Sequence, residues 1–176
     1  MKRLCIYGIA CFLLFILGNC KKDNELAPGF DMIYQAEIVI QPGLSTDVVH
    51  HYYIKDLSTR YLTYLSQYDK QDVDVTKILP SQFALNGTFG DANYSFIDQA
   101  VLRIYNESAP NDFVEVAYRS PVPLDPGNSL PLIPNQPDIK KYLKGSRFSI
   151  DLGLRLRNIT QEETTTRLDL QFRAYY

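Results

Sequence analysis

Tryptophan is absent, histidine occurs twice, and the three cysteines fall at positions 5, 11 and 20, all within the first 20 of 176 residues. Beyond Cys20 there is therefore no thiol for a nucleophile, a thiolate zinc site or an internal disulfide, so the remaining chain must hold itself together by core packing. His50 and His51 are adjacent; on a strand, neighbours point to opposite faces, so the two cannot share a metal there. One partly buried and one exposed histidine is the expected outcome. A basic excess is missing too, with 18 Lys and Arg against 20 Asp and Glu, which argues against a nucleic-acid partner. Gly-x-Ser-x-Gly, His-Glu-x-x-His and phosphate-binding glycine loops do not occur. The acidic cluster Asp69, Asp72 and Asp74 lacks the spacing of a calcium loop and reads as solvated. No catalytic residue, metal or cofactor is expected from these absences, and the binding residues stay unassigned.

What is present begins with the first 20 residues. Lys2 and Arg3 precede an apolar run from Leu4 to Leu17, which ends in Leu17-Gly18-Asn19-Cys20. Fourteen apolar residues suit the central region of a signal peptide and are too few for a spanning helix, which needs about 20. The ending resembles the lipobox of Gram-negative bacterial lipoproteins. That resemblance implies a signal peptide over 1–19, cleavage before Cys20, and lipidation at Cys20 through its sulfur and its new amine. Several acyl chains would anchor securely where one alone is marginal. Lys21 is not the Asp that retains lipoproteins in the inner membrane. The cluster Lys21-Lys22-Asp23-Asn24-Glu25 is similar to a surface-export tag, which implies the outer membrane, with the cell surface favoured over the periplasmic face. Cleavage would leave 157 of the 176 residues. The 18 basic residues, less Lys2 and Arg3, then face 20 acidic ones for a net charge of −4.

Residues 20–29 read as a lipidated tether and 30–176 as a single domain. Tyr34, Ala36, Ile38 and Ile40 alternate with polar residues, as a half-buried strand requires, with Val39 as the one mismatch. Val48 to Lys55, Gln82 to Leu85, Ala100 to Ile104 and Phe113 to Tyr118 read as further strands. Leu57, Tyr61, Tyr64, Leu65 and Tyr68 recur at helical spacing behind a cap at Ser58 or Thr59, and Asp138 to Leu143 reads as a second short helix. Asp74 to Leu79 suggests one helical turn stopped by Pro80. Six prolines between 121 and 137 predict a loop or edge strand there. Phe148 to Leu156 and Leu168 to Tyr176 each present one apolar face. Seven or so short strands predict an all-β fold, a two-layer antiparallel β-sandwich of immunoglobulin-like architecture with one or two short helices. The last two strands are expected to form a hairpin, with Arg155 opposite Asp169 and Asp151 opposite Arg173 on its outer face.

The function expected from this is a lipid-anchored, non-catalytic binding or assembly module for a protein or surface polymer such as a polysaccharide. It would engage its partner through the loops at 86–95, 106–112 and 158–166. The alternatives are a small secreted hydrolase using carboxylates and a periplasmic lipid or small-ligand carrier. Thirteen Tyr and nine Phe suit either a packed core or a binding surface, and the lack of Trp weighs against a sugar platform.

Overall fold

The computed structural model describes residues 27–89 and 92–176. The expected signal peptide, Cys20 and most of the tether lie outside the described residues. The first strand, β1 (Pro28–Ile40), begins two residues inside the stretch read as tether. It sends Met32, Tyr34, Ile38 and Ile40 inward and leaves Val39 on the outer face, so the sequence mismatch at Val39 is a side chain facing water.

The other strands are β2 (Val49–Ser58), β3 (Lys77–Gly87), β4 (Ile97–Asn106), β5 (Ala109–Arg119), β6 (Ser129–Pro134), β7 (Arg147–Leu156) and β8 (Thr164–Tyr175). Two short helices, α1 (Tyr61–Gln67) and α2 (Lys140–Leu143), interrupt them. The described residues are all-β, as expected, and their eight strands form one antiparallel, nearly closed sheet in the order β1-β8-β3-β6-β5-β4-β7-β2. The inner face is filled by packed side chains, with Phe172 meeting Phe83 and Phe148 edge-on at its centre.

Three expectations are corrected here. Pro80 does not end a helical turn; the 3-10 turn spans Asp72–Asp74, and Pro80 lies within β3 beside a bulge, where a missing N–H is tolerated. The proline-rich stretch supplies β6, which is interior to the strand order, not an edge. It is nonetheless thinly bonded, pairing with β3 over Phe83–Asn86 and with β5 only at Ala117 and Tyr118. The hairpin of the last two strands does not form. β7 pairs with β2 and β4, and β8 with β1 and β3. Arg155 therefore does not face Asp169, which is held by Gln35, Asn86 and Arg167, and Arg173 binds Asp31 instead of Asp151. The apolar faces are as expected: Phe148 through Leu156 and Leu168 through Ala174 are buried at every second position.

The free edges of β1 and β2 are drawn together by α1. Tyr34 Oη donates to the carbonyl of Thr59, just beyond β2. Ile33 on β1 donates its N–H to Tyr64 Oη at 3.0 Å, and its carbonyl accepts from Arg60. Arg60 is held at φ 48, with its guanidinium over the Tyr34 and Tyr64 rings. The helix thereby covers part of an edge that would otherwise offer unpaired backbone groups to another chain. Neither helix starts behind its expected cap: Arg60, not Ser58 or Thr59, precedes α1, and Ile139, not Asp138, precedes α2. Thr59 still accepts from the N–H of Tyr61 at 3.3 Å, and Asp138 from Lys140 and from Ile78 on β3.

Candidate functional site

Antiparallel pairing sorts the connections to two ends. Pro28 lies opposite Tyr175 at the near end, together with α1, α2 and the β4–β5 turn. Ile40 lies opposite Thr164 at the far end, with the segments 41–48, 88–89, 92–96, 120–128 and 157–163. The 13 residues of β1, at ~3.3 Å each, set the two ends about 40 Å apart along the strand.

A recess of about 1030 Å³ opens at the far end. Phe89, residues 92–96 and residues 157–165 form its walls, so the structure brings together two of the three loops singled out in the sequence. Thr160 ties this end together: its carbonyl accepts from Gly43 N–H at 2.8 Å, and its hydroxyl accepts from Leu44 N–H and donates to the Gln41 carbonyl. Arg157 reaches the Val122 carbonyl and lies 3.7 Å from Asp98, while its Nε has no hydrogen-bond partner among the described residues. Phe89 and Ile159 stand exposed on the rim, with Glu162 and Glu163 beside them. The third loop, 106–112, is not a long loop at all. β4 and β5 join there in a tight turn at Glu107–Ser108, at the near end.

A second recess, about 480 Å³, lies on the outer face of β2, β7, β4 and β5. The register places Tyr53, Asp151, Arg103 and Glu115 in one row across the four strands. Asp151 is only 8% exposed although it points away from the core, because His51, Tyr53 and Arg103 crowd over it from either side. His51 Nδ1 lies 2.7 Å from Asp151 Oδ1. A carboxylate can only accept, so Nδ1 carries the proton. Gly153 lies opposite His51; a Cβ there would meet the imidazole at an ordinary 3.5 Å and Val49 more tightly at 3.2 Å. Arg103 is 3.7 Å from the other Asp151 oxygen, and its guanidinium lies over the Phe113 ring at 4.9 Å. Lys55 pairs with Glu107 at 3.6 Å. Burial, with Glu107 beside it, pushes the Tyr105 hydroxyl up to about 12, and hydrogen bonds from Ser149, then Tyr105, hold Glu107 below its ordinary value.

His50 and His51 do point to opposite faces, His50 Nε2 lying 2.8 Å from the Ser45 carbonyl. The acidic cluster is dispersed among structural roles. Asp72 accepts from Tyr61 and pairs with Lys140, Asp74 caps the Gln71 N–H, and Asp69 takes a positive φ. Among the described residues no three His, Cys, Asp or Glu side chains converge as metal ligands, and no helix is long and apolar enough to cross a membrane. Sequence reasoning passed over the second recess because its residues come from four strands whose neighbours it could not assign. Comparison with protein-family models, with curated proteins and with solved structures found no match.

Proposed function

We propose that this chain is an outer-membrane lipoprotein, anchored through Cys20 and favouring the cell surface, that serves as a non-catalytic binding or assembly module. The observation that supports this best is the two-ended arrangement. The chain enters the fold at the near end, at Pro28, and the recess of about 1030 Å³ opens about 40 Å away along β1. A lipid on the N-terminal tether would hold the near end toward the membrane and present the far-end loops outward. Exposed Phe89 and Ile159 on that rim suit a protein or polymer partner. The fold is read as a sandwich of two leaves, β1-β8-β3-β6 and β5-β4-β7-β2, joined by thinly bonded β6. It is immunoglobulin-like only in having two facing antiparallel leaves.

The carrier alternative is disfavoured by the inner face, where a ligand would have to displace Phe148 and Phe172, both almost wholly buried. In the recess on the outer face, the carboxylates open to a hydrolase reading, Asp151 and Glu107, are each already engaged by a cation. The test has two parts. Wild-type cells should incorporate labelled fatty acid into the protein, and Cys20→Ser should abolish this and leave an unprocessed precursor. A photocrosslinker at Ile159 should give discrete adducts on intact cells, and one at Ser108 should give none. Undiminished labelling of Cys20→Ser, or adducts from Ser108 alone, contradicts the proposal.

A further inference from the structure

We propose that the recess on the outer face of β2, β7, β4 and β5 is a carbohydrate site that takes a neutral pyranose sugar, with Tyr53 and Phe113 as apolar platforms and Asp151, Arg103 and His51 as its hydrogen-bonding floor. This inference is independent of the lipid anchor and of the far-end recess.

The charge balance selects the ligand class. Two cations, Lys55 and Arg103, stand with two carboxylates, Glu107 and Asp151, and each cation lies within 4 Å of a carboxylate. The recess therefore has no uncompensated positive charge for a phosphate or a uronic acid, and no uncompensated negative charge for a cation. It offers donors and acceptors side by side, a requirement of vicinal hydroxyls, each of which both donates and accepts. The apolar component fits the same ligand. Tyr53 is 58% exposed and Phe113 50% exposed, flanking the polar floor as rings on which the C–H face of a pyranose can lie.

The floor is rigid before any ligand arrives. His51 is fixed by Asp151 and lies nearly parallel to Tyr53, with ring centroids 5.8 Å apart. Arg103 is fixed between Asp151 and the Phe113 ring. Preorganised groups of this kind lose little entropy on binding. Stacking on His51 holds the exposed Tyr53 ring in one orientation. β2 is the last strand of the sheet, so the recess lies beside an open margin and a longer sugar chain can continue past it.

The two histidines provide the readout. The full-length chain, in a detergent without a sugar headgroup, is titrated with disaccharides of glucose, galactose, mannose and N-acetylglucosamine, in α and β linkages, while the imidazole resonances are followed by NMR. At least one disaccharide should shift His51 saturably, in the millimolar range typical of a shallow site, and leave His50, on the opposite face, unmoved. Tyr53→Ala, an exposed position that folding tolerates, should weaken that affinity at least about tenfold, and Asp151→Asn should do likewise. Glucose 6-phosphate should bind no more tightly than glucose. Absence of a saturable His51 shift with every disaccharide overturns the proposal. So does equal movement of His50, undiminished affinity in Tyr53→Ala, or a clear preference for the phosphorylated sugar.

Discussion

Asp31 shows how a single ion pair sets an acid limit on this fold. Arg173 on β8 donates from Nε and Nη2 to the two Asp31 oxygens at 2.7 and 3.0 Å, joining β1 to β8 near the start of the domain. Hydrogen bonds from Arg173 hold the Asp31 carboxyl below its ordinary value of 3.8. A group whose folded value is depressed stabilises the fold fully above its unfolded value and loses that contribution as pH falls through the folded one. Urea unfolding of the wild type should therefore show stability falling once pH drops below 3.8. Asp31→Asn should be less stable at neutral pH and show a flatter acid limb. An acid limb unchanged by Asp31→Asn would remove Asp31 from the explanation. At this scale the sequence was only partly legible. Asp151 reads as one more outward polar residue of an alternating strand, and its burial comes from His51 and Arg103, about 100 and 50 residues away in the chain. Period-two patterning reports which face a residue takes, not what a neighbouring strand lays over it.

Among elements, most strands were legible, β6 and the first residues of β3 excepted, and their partners were not. Phe148, Ile150, Leu152, Leu154 and Leu156 declare a strand and its buried face, as do Leu168, Leu170 and Phe172. Nothing local distinguishes a hairpin partner from a strand elsewhere in the sheet. The charge complementarity that suggested Arg155 opposite Asp169 is satisfied differently. Asp169 is held by Asn86 on β3, Gln35 on β1 and Arg167 on its own strand. The connection over 157–163 instead joins two strands that are not neighbours in the sheet order and lines the far-end recess. Facing residues of an antiparallel pair have Cβ atoms about 4.5–5.5 Å apart, near disulfide reach. Cysteines placed at Glu37 and Arg167, which face each other across β1 and β8, should cross-link on mild oxidation. Cysteines at Arg155 and Asp169 should not. The opposite result on non-reducing gels would restore the hairpin and overturn this strand order.

For the molecule as a whole, the central claim is that anchor and binding surface lie at opposite ends. The all-β class and the loops at 86–95 and 158–166 could be read from the sequence, because turn residues and alternation are local signals. Their meeting at the far end could not, since it follows from β1, β3, β7 and β8 finishing or starting there. The absence of cysteine beyond Cys20 allows a single thiol to be introduced for labelling, with Cys20 occupied by lipid under the proposed anchoring. The most direct measurement is energy transfer from a headgroup dye, in vesicles carrying the lipidated protein, to a label at exposed Ser108 on the near end or exposed Glu162 on the far end. The account predicts strong transfer to position 108 and weak transfer to position 162, about 40 Å further along the fold. Equal transfer to both, stronger transfer to 162, or no association with vesicles at all would contradict it.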